Sequence, residues 1–164
     1  MNINGHYQFP YSVETVFQTY GDPRHIEEKQ RFLGSRNIDI QQCELSADAL
    51  ELKVVREVPA EAPAMLKKFI AEWNKLTQEE QWEGNPTEGY RARMKVAIEG
   101  VPVTIKGEIE LRPDGDGCQH TVVLHFDCKI PLVGKKLSEF VAGKTEETMR
   151  SEFAFVADYL QANA

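Results

Sequence analysis

Arg56, Gln78 and Glu80 are the polar residues whose positions suggest chemistry. Arg56 stands in a run where Leu52, Val54 and Val58 share its parity, and Gln78 and Glu80 stand between Leu76 and Trp82 in another. Residues two apart in a strand point to one face, so these groups fall on apolar faces, as do Gln42 and Glu44 after Ile38 and Ile40. A charge on a covered face needs a partner or water, because burying it alone is costly. If the two runs are neighbouring strands, Arg56 and Glu80 can meet inside. Such a pair is either a polar anchor in an apolar pocket, holding a ligand carboxylate or hydroxyl, or a structural ion pair near the rim of a sheet.

Other reactive types give less. His6, His25, His120 and His125 are dispersed, with His6 and His125 on outer strand faces, so no metal site is expected. The chain has neither a GxSxG nucleophile turn nor a GxxxxGK[ST] phosphate loop, and no cofactor is implied. Cys128 is a nucleophile by residue type only, in an apolar alternation without a histidine near it on its face. Cys43, Cys118 and Cys128 are an odd number with no CxxC pair, which points to reduced thiols in a cytoplasm.

The 164 residues, 41% apolar, suit one domain with a real core. Twenty-six acidic residues against nineteen basic ones give a charge of −7, which argues against a nucleic-acid partner. MNINGHYQF has neither the basic start nor the apolar run of a signal peptide. No uninterrupted apolar stretch reaches membrane-spanning length. Oligomeric state leaves no sequence signature here.

The elements that must position these groups follow from periodicity. Residues 3 to 9 alternate as a strand ending at Pro10. Ser12 then caps a helix with Val13, Val16, Phe17 and Tyr20 inward, and Pro23 starts a second helix running to Gly34. Strands follow from Asn37, over 50 to 54, 76 to 82, 90 to 98, 101 to 111 and 122 to 130, with turns at Ser46-Ala47-Asp48, Gly84-Asn85-Pro86 and the PDGDG at 113 to 117. Gly107 falls on an apolar face and marks a bulge or a bend. Leu66, Phe69, Ile70 and Trp73 in the connector have helical spacing and either complete the core or form a lid. From Pro131 a long amphipathic helix carries Val133, Leu137, Phe140, Val141, Met149, Phe153, Val156 and Leu160 in steps of three and four. The stripe thins at Ala142 and Gly143, so Gly143 is expected to face the sheet and leave room.

This order, one strand, two short helices, six strands and a long helix, resembles the helix-grip fold of the START-like and Bet v 1-like superfamily. Several phrases are similar to the bacterial family called domain of unknown function 2505: DPRHIEEKQRFLG, VPAEAPAMLKKF, QEEQW, EGVPVTIKGEIEL and PLVGKKLSEFV. The resemblance implies an α+β fold in which a curved seven-stranded antiparallel sheet closes over the last helix around an apolar cavity. It carries no activity with it, because the superfamily holds lipid carriers, aromatic cyclases and co-chaperones alike.

The first expectation is therefore a non-enzymatic binding protein for an apolar or amphipathic small molecule. Arg56, Gln78, Glu80, Trp82, Tyr90, Met94, Phe126, Phe140, Gly143 and Met149 are its candidate cavity residues. Two alternatives stand beside it. One is an enzyme resembling polyketide cyclases, in which Arg56, Glu80 or Tyr90 assists proton transfer; two cavity carboxylates would favour it. The other is an interaction module with a filled core.

Overall fold

The strand that begins at the second residue ends up beside the last strand of the chain. In the computed structural model, which describes residues 1–164, β1 (Asn2–Phe9) pairs antiparallel with β7 (Gly117–Asp127), with Tyr7 opposite His120. The remaining strands run in chain order from the other edge. They are β2 (Arg36–Leu45), β3 (Ala49–Pro59), β4 (Trp73–Asn85), β5 (Gly89–Ile98) and β6 (Val101–Asp114). Together they form one antiparallel sheet in the order β1-β7-β6-β5-β4-β3-β2.

Two helices fill the step between β1 and β2. Ser12 accepts a hydrogen bond from the Thr15 amide at the start of α1 (Val13–Tyr20), and Asp22 accepts one from the Arg24 amide at the start of α2 (Pro23–Phe32). Each cap satisfies an amide that the first helical turn leaves unpaired. Helix α2 ends two residues short of the Gly34 expected from sequence, and Gly34 takes the positive φ of 87° that turns the chain into β2.

The long helix α3 (Gly134–Ala162) crosses the covered face of the sheet. No side chain caps its start at Val133, which forgoes about 1 kcal/mol. Burial outweighs that loss, because Leu137, Val141, Val156 and Leu160 are each at most 6% exposed and a buried side chain of this size contributes roughly 1.5–3 kcal/mol. These residues join one apolar cluster with Phe9, Phe17, Leu50, Tyr90 and Leu111.

Four expectations need correcting. Gln42 and Glu44 leave the apolar face, because β2 shifts register between Ile40 and Gln42 and it is Cys43 that packs against the core. Gly107 marks no bulge: it stays in register opposite both Met94 and Leu124. A Cβ there would stand 2.6 Å from Leu124 Cδ2, so close packing explains the glycine. The connector forms only a 3-10 turn at Ala64–Leu66 before further turns, and Trp73 already belongs to β4. Leu66 and Ile70 are nonetheless buried, so the stripe completes the core at one end of the sheet. Finally, β7 stops at Asp127, leaving Ile130 outside the strand.

Candidate functional site

Alternation along the strands decides what the covered face offers. Residues 52, 54, 56 and 58 of β3 and 76, 78, 80 and 82 of β4 all point toward α3, where the packing leaves a cavity of about 260 Å³. Its two ends differ. Ile70, Leu76, Ile98, Phe140 and Val141 make the end nearest the connector, where the side-chain amide of Asn74 is tied back to the Ala71 backbone. Toward α1 and α2 the wall carries Tyr20, Lys29, His120 and Glu152, with Arg56, Gln78 and Glu80 between the two ends. Pro59, Lys144 and Thr148 line the cavity and also face solvent, which places its mouth between β3 and the middle of α3.

Arg56 and Glu80 do not touch. Their strands pair as expected, but Arg56 lies opposite Leu76 and Glu80 opposite Leu52, so the two groups stand four positions apart along the strand. Gln78 bridges them: its Oε1 accepts from Arg56 Nη2 at 3.0 Å, and its Nε2 donates to Glu80 Oε2. The other oxygen of Glu80 accepts from Trp82 Nε1 at 2.9 Å. Both oxygens of the carboxylate are thus engaged, whereas Arg56 Nε and Nη1 are buried without a partner. Burial lowers the Arg56 pKa, against the pull of Glu152 and Glu80.

A second polar group joins α1, α2, β7 and α3. Tyr20 and His120 share a hydrogen bond of 2.7 Å through Nδ1, and Lys29 Nζ pairs with Glu152 Oε1 at 2.9 Å. Burial lowers His120 to about 4 and raises Tyr20 well above its usual value. Burial also pushes the Glu152 pKa up, but Lys29, Arg56 and His120 outweigh it and hold the carboxyl below its ordinary range. Beside this group, outside the cavity, His25 packs edge-on to Tyr159 at 4.7 Å with neither ring nitrogen hydrogen-bonded. Burial, reinforced by Lys29, lowers its pKa to about 3.

Seven of the ten residues expected from sequence line the cavity: Arg56, Gln78, Glu80, Trp82, Met94, Phe140 and Met149. Tyr90 does not, because Phe17 stacks on its ring at 3.7 Å and its hydroxyl donates to the Ala47 carbonyl. Phe126 lies in packed core beyond the cavity, where Gly134 at the start of α3 abuts Cys128 so closely that a Cβ would stand 3.0 Å from the Cys128 carbonyl oxygen. Gly143 faces away from the sheet into open space. At about 100° per residue it lies roughly 200° round the helix from Val141. The thinning of the stripe is carried by Lys144, Thr145 and Thr148 instead.

Four wall residues escape the sequence reading, although signals for them exist. His120 has the parity of Val122 and Leu124. Glu152 stands three residues after Met149 and four before Val156, and Lys29 three after Ile26, so both fall on apolar stripes. Tyr20 counts in the sequence as an inward residue, but only as an apolar one.

A curved antiparallel sheet gripping one long carboxy-terminal helix, with two short helices after the first strand, is the helix-grip fold. The chain belongs to the family described as protein of unknown function (DUF2505), whose pattern matches residues 6–160. Among solved structures it is similar to the protein TTHA0849 from Thermus thermophilus, with a TM-score of 0.66 and 16% identity over 100% of this chain and 99% of that one. It is also similar to the ZhuI aromatase/cyclase from Streptomyces sp. R1128, with a TM-score of 0.65 and 12% identity over 98% and 93% of the two chains. A norcoclaurine synthase point mutant from Thalictrum flavum, in complex with a transition-state analogue, gives 0.60 and 15% over 99% and 95%. At these identities the likeness is one of fold. No curated protein matches the chain. No helix is long and apolar enough to cross a membrane, and no group of three His, Cys, Asp or Glu side chains is placed to hold a metal ion.

Proposed function

We propose that the chain acts as a single helix-grip domain that binds an apolar or amphipathic small molecule between the sheet and α3. The observation that carries this reading is the cavity itself: about 260 Å³, with one largely apolar end and a few convergent polar groups. That volume is close to the lower end of ordinary small-molecule pockets. Arg56, Gln78, Glu80, Trp82, Met94, Phe140 and Met149 are its proposed contacts. A space of this size also counts against a module with a filled core. All three cysteines are free, in keeping with a cytoplasmic setting.

Native mass spectrometry of freshly purified protein tests the reading. A repeatable added mass that organic extraction removes supports it, and a clean mass that no apolar probe shifts overturns it.

A second reading has an observation of its own. Two carboxylates, Glu80 and Glu152, line the same cavity as the Tyr20–His120 pair, a set able to move protons on a bound ligand. Two of the similar folds carry the names of enzymes, an aromatase/cyclase and a norcoclaurine synthase. Chemical alteration of the extracted ligand on re-incubation with the protein would favour this reading over carriage alone.

A further inference from the structure

We infer that the ligand is an apolar monocarboxylate, its head on Arg56 and its tail toward Ile70, Ile98 and Phe140. The inference rests on the binding function proposed above and names the chemistry of its occupant. It starts from an asymmetry among the cavity's polar atoms. Every buried side-chain oxygen has a hydrogen-bond partner, whereas two buried nitrogens of the wall, Arg56 Nε and Nη1, have none. An occupant must therefore bring acceptors. A primary amine, which brings only donors when charged, leaves both nitrogens as they are.

Charge selects among acceptors. Lys29 is paired with Glu152, and Glu80 spends both its oxygens on Gln78 and Trp82. Arg56 is the one deep cation of the cavity that makes no ion pair, its sole side-chain bond being to the neutral amide of Gln78. A guanidinium held out of water gains most from a carboxylate, whose hydrogen bonds are charge-assisted and about twice as strong as those of a neutral oxygen. The direction of the tail follows from the wall. From Arg56 toward the connector the wall is Val58, Ile70, Leu76, Ile98 and Phe140, and Asn74 there already has both amide atoms hydrogen-bonded to the Ala71 backbone, whereas the opposite direction meets Lys29, His120 and Glu152. Only the first accepts an alkyl or aryl group without stranding a polar partner.

Isothermal titration of the intact chain with two matched pairs tests this: decanoate against 1-decanol, and 2-naphthylacetate against 2-naphthaleneethanol. The expected result is at least tenfold tighter binding of one acid than of its alcohol. In Arg56→Met that preference should disappear. Thermal unfolding of the variant verifies its fold, and Arg56→Lys, which keeps the charge, should retain part of the preference. Equal binding of acid and alcohol, or a preference unchanged in Arg56→Met, overturns the carboxylate while leaving the binding function intact. Failure of all four compounds, together with an unshifted native mass, overturns both.

Discussion

Tyr20 and His120, a hundred positions apart in the chain, meet at 2.7 Å between the phenol oxygen and Nδ1. The contact ties α1 to β7 across the polar end of the cavity and holds an imidazole where burial disfavours its charged form.

Stability should consequently fall in acid. His25 and His120 have folded pKa values of about 3 and about 4, both below the ordinary 6.5, so the unfolded chain binds their protons first. Their contribution is complete above about pH 6.5 and is lost progressively as pH drops toward the folded values. Between pH 7 and 5 each should cost about 2 kcal/mol. Glu152, depressed in the fold, adds a loss of the same sign at lower pH. Urea unfolding at pH 7, 6 and 5 measures the slope. His25→Phe should flatten it, and a slope unchanged by that substitution would remove His25 as a cause.

Gly143 and Gly89 should respond oppositely to alanine. A Cβ at Gly143 meets nothing within 4 Å, so Gly143→Ala gains helix propensity of about 0.5–1 kcal/mol and leaves ligand binding untouched. At Gly89, φ is +100° and a Cβ would stand 2.2 Å from the Leu111 carbonyl oxygen. Gly89→Ala should cost about 2 kcal/mol or more. Thermal midpoints of the two variants, moving in opposite directions, provide the check.

How much of this is legible without coordinates depends on what sets each feature. Strand parity is a local property, so spacing alone assigns Leu52 to Val58 and Leu76 to Trp82 to the covered face. The separation of Arg56 from Glu80 is not legible, because it depends on which residues of β3 and β4 stand opposite each other. The orientation of Gly143 is within reach, since helical angle alone turns it away from Val141. Tyr90 loses its expected place to Phe17, and packing between an early helix and a middle strand has no sequence period. His120 and Glu152 show the converse: their positions on apolar faces are readable, but as polar residue types they do not stand out against the stripe around them.

Ile70 should couple the connector to the cavity. It is 6% exposed and forms part of the apolar end, so Ile70→Ala removes core contacts and enlarges the cavity, costing about 2–4 kcal/mol. Binding of a short-tailed probe should weaken along with stability. A probe longer by two methylenes should recover affinity, which titration of an alkyl series on the variant will show.

Arg56 and Glu80 are linked through Gln78, and their removal should not be symmetrical. Arg56→Met eliminates a buried guanidinium with two unpartnered nitrogens and leaves Glu80 holding both Gln78 and Trp82. The substitution should be close to neutral or stabilising, as when a poorly compensated buried charge gives way to an apolar side chain. Glu80→Leu strips acceptors from the Gln78 amide and the Trp82 indole, at roughly 1–3 kcal/mol for each donor orphaned, and leaves Arg56 further from compensation. Combined with Arg56→Met, Glu80→Leu should cost less than it does alone. Urea midpoints of the two single variants and the double variant close the cycle. A single-variant order opposite to this one would mean that Arg56 finds its compensation elsewhere, and Glu152, whose charge acts on it more strongly than that of Glu80, would be the group to remove next.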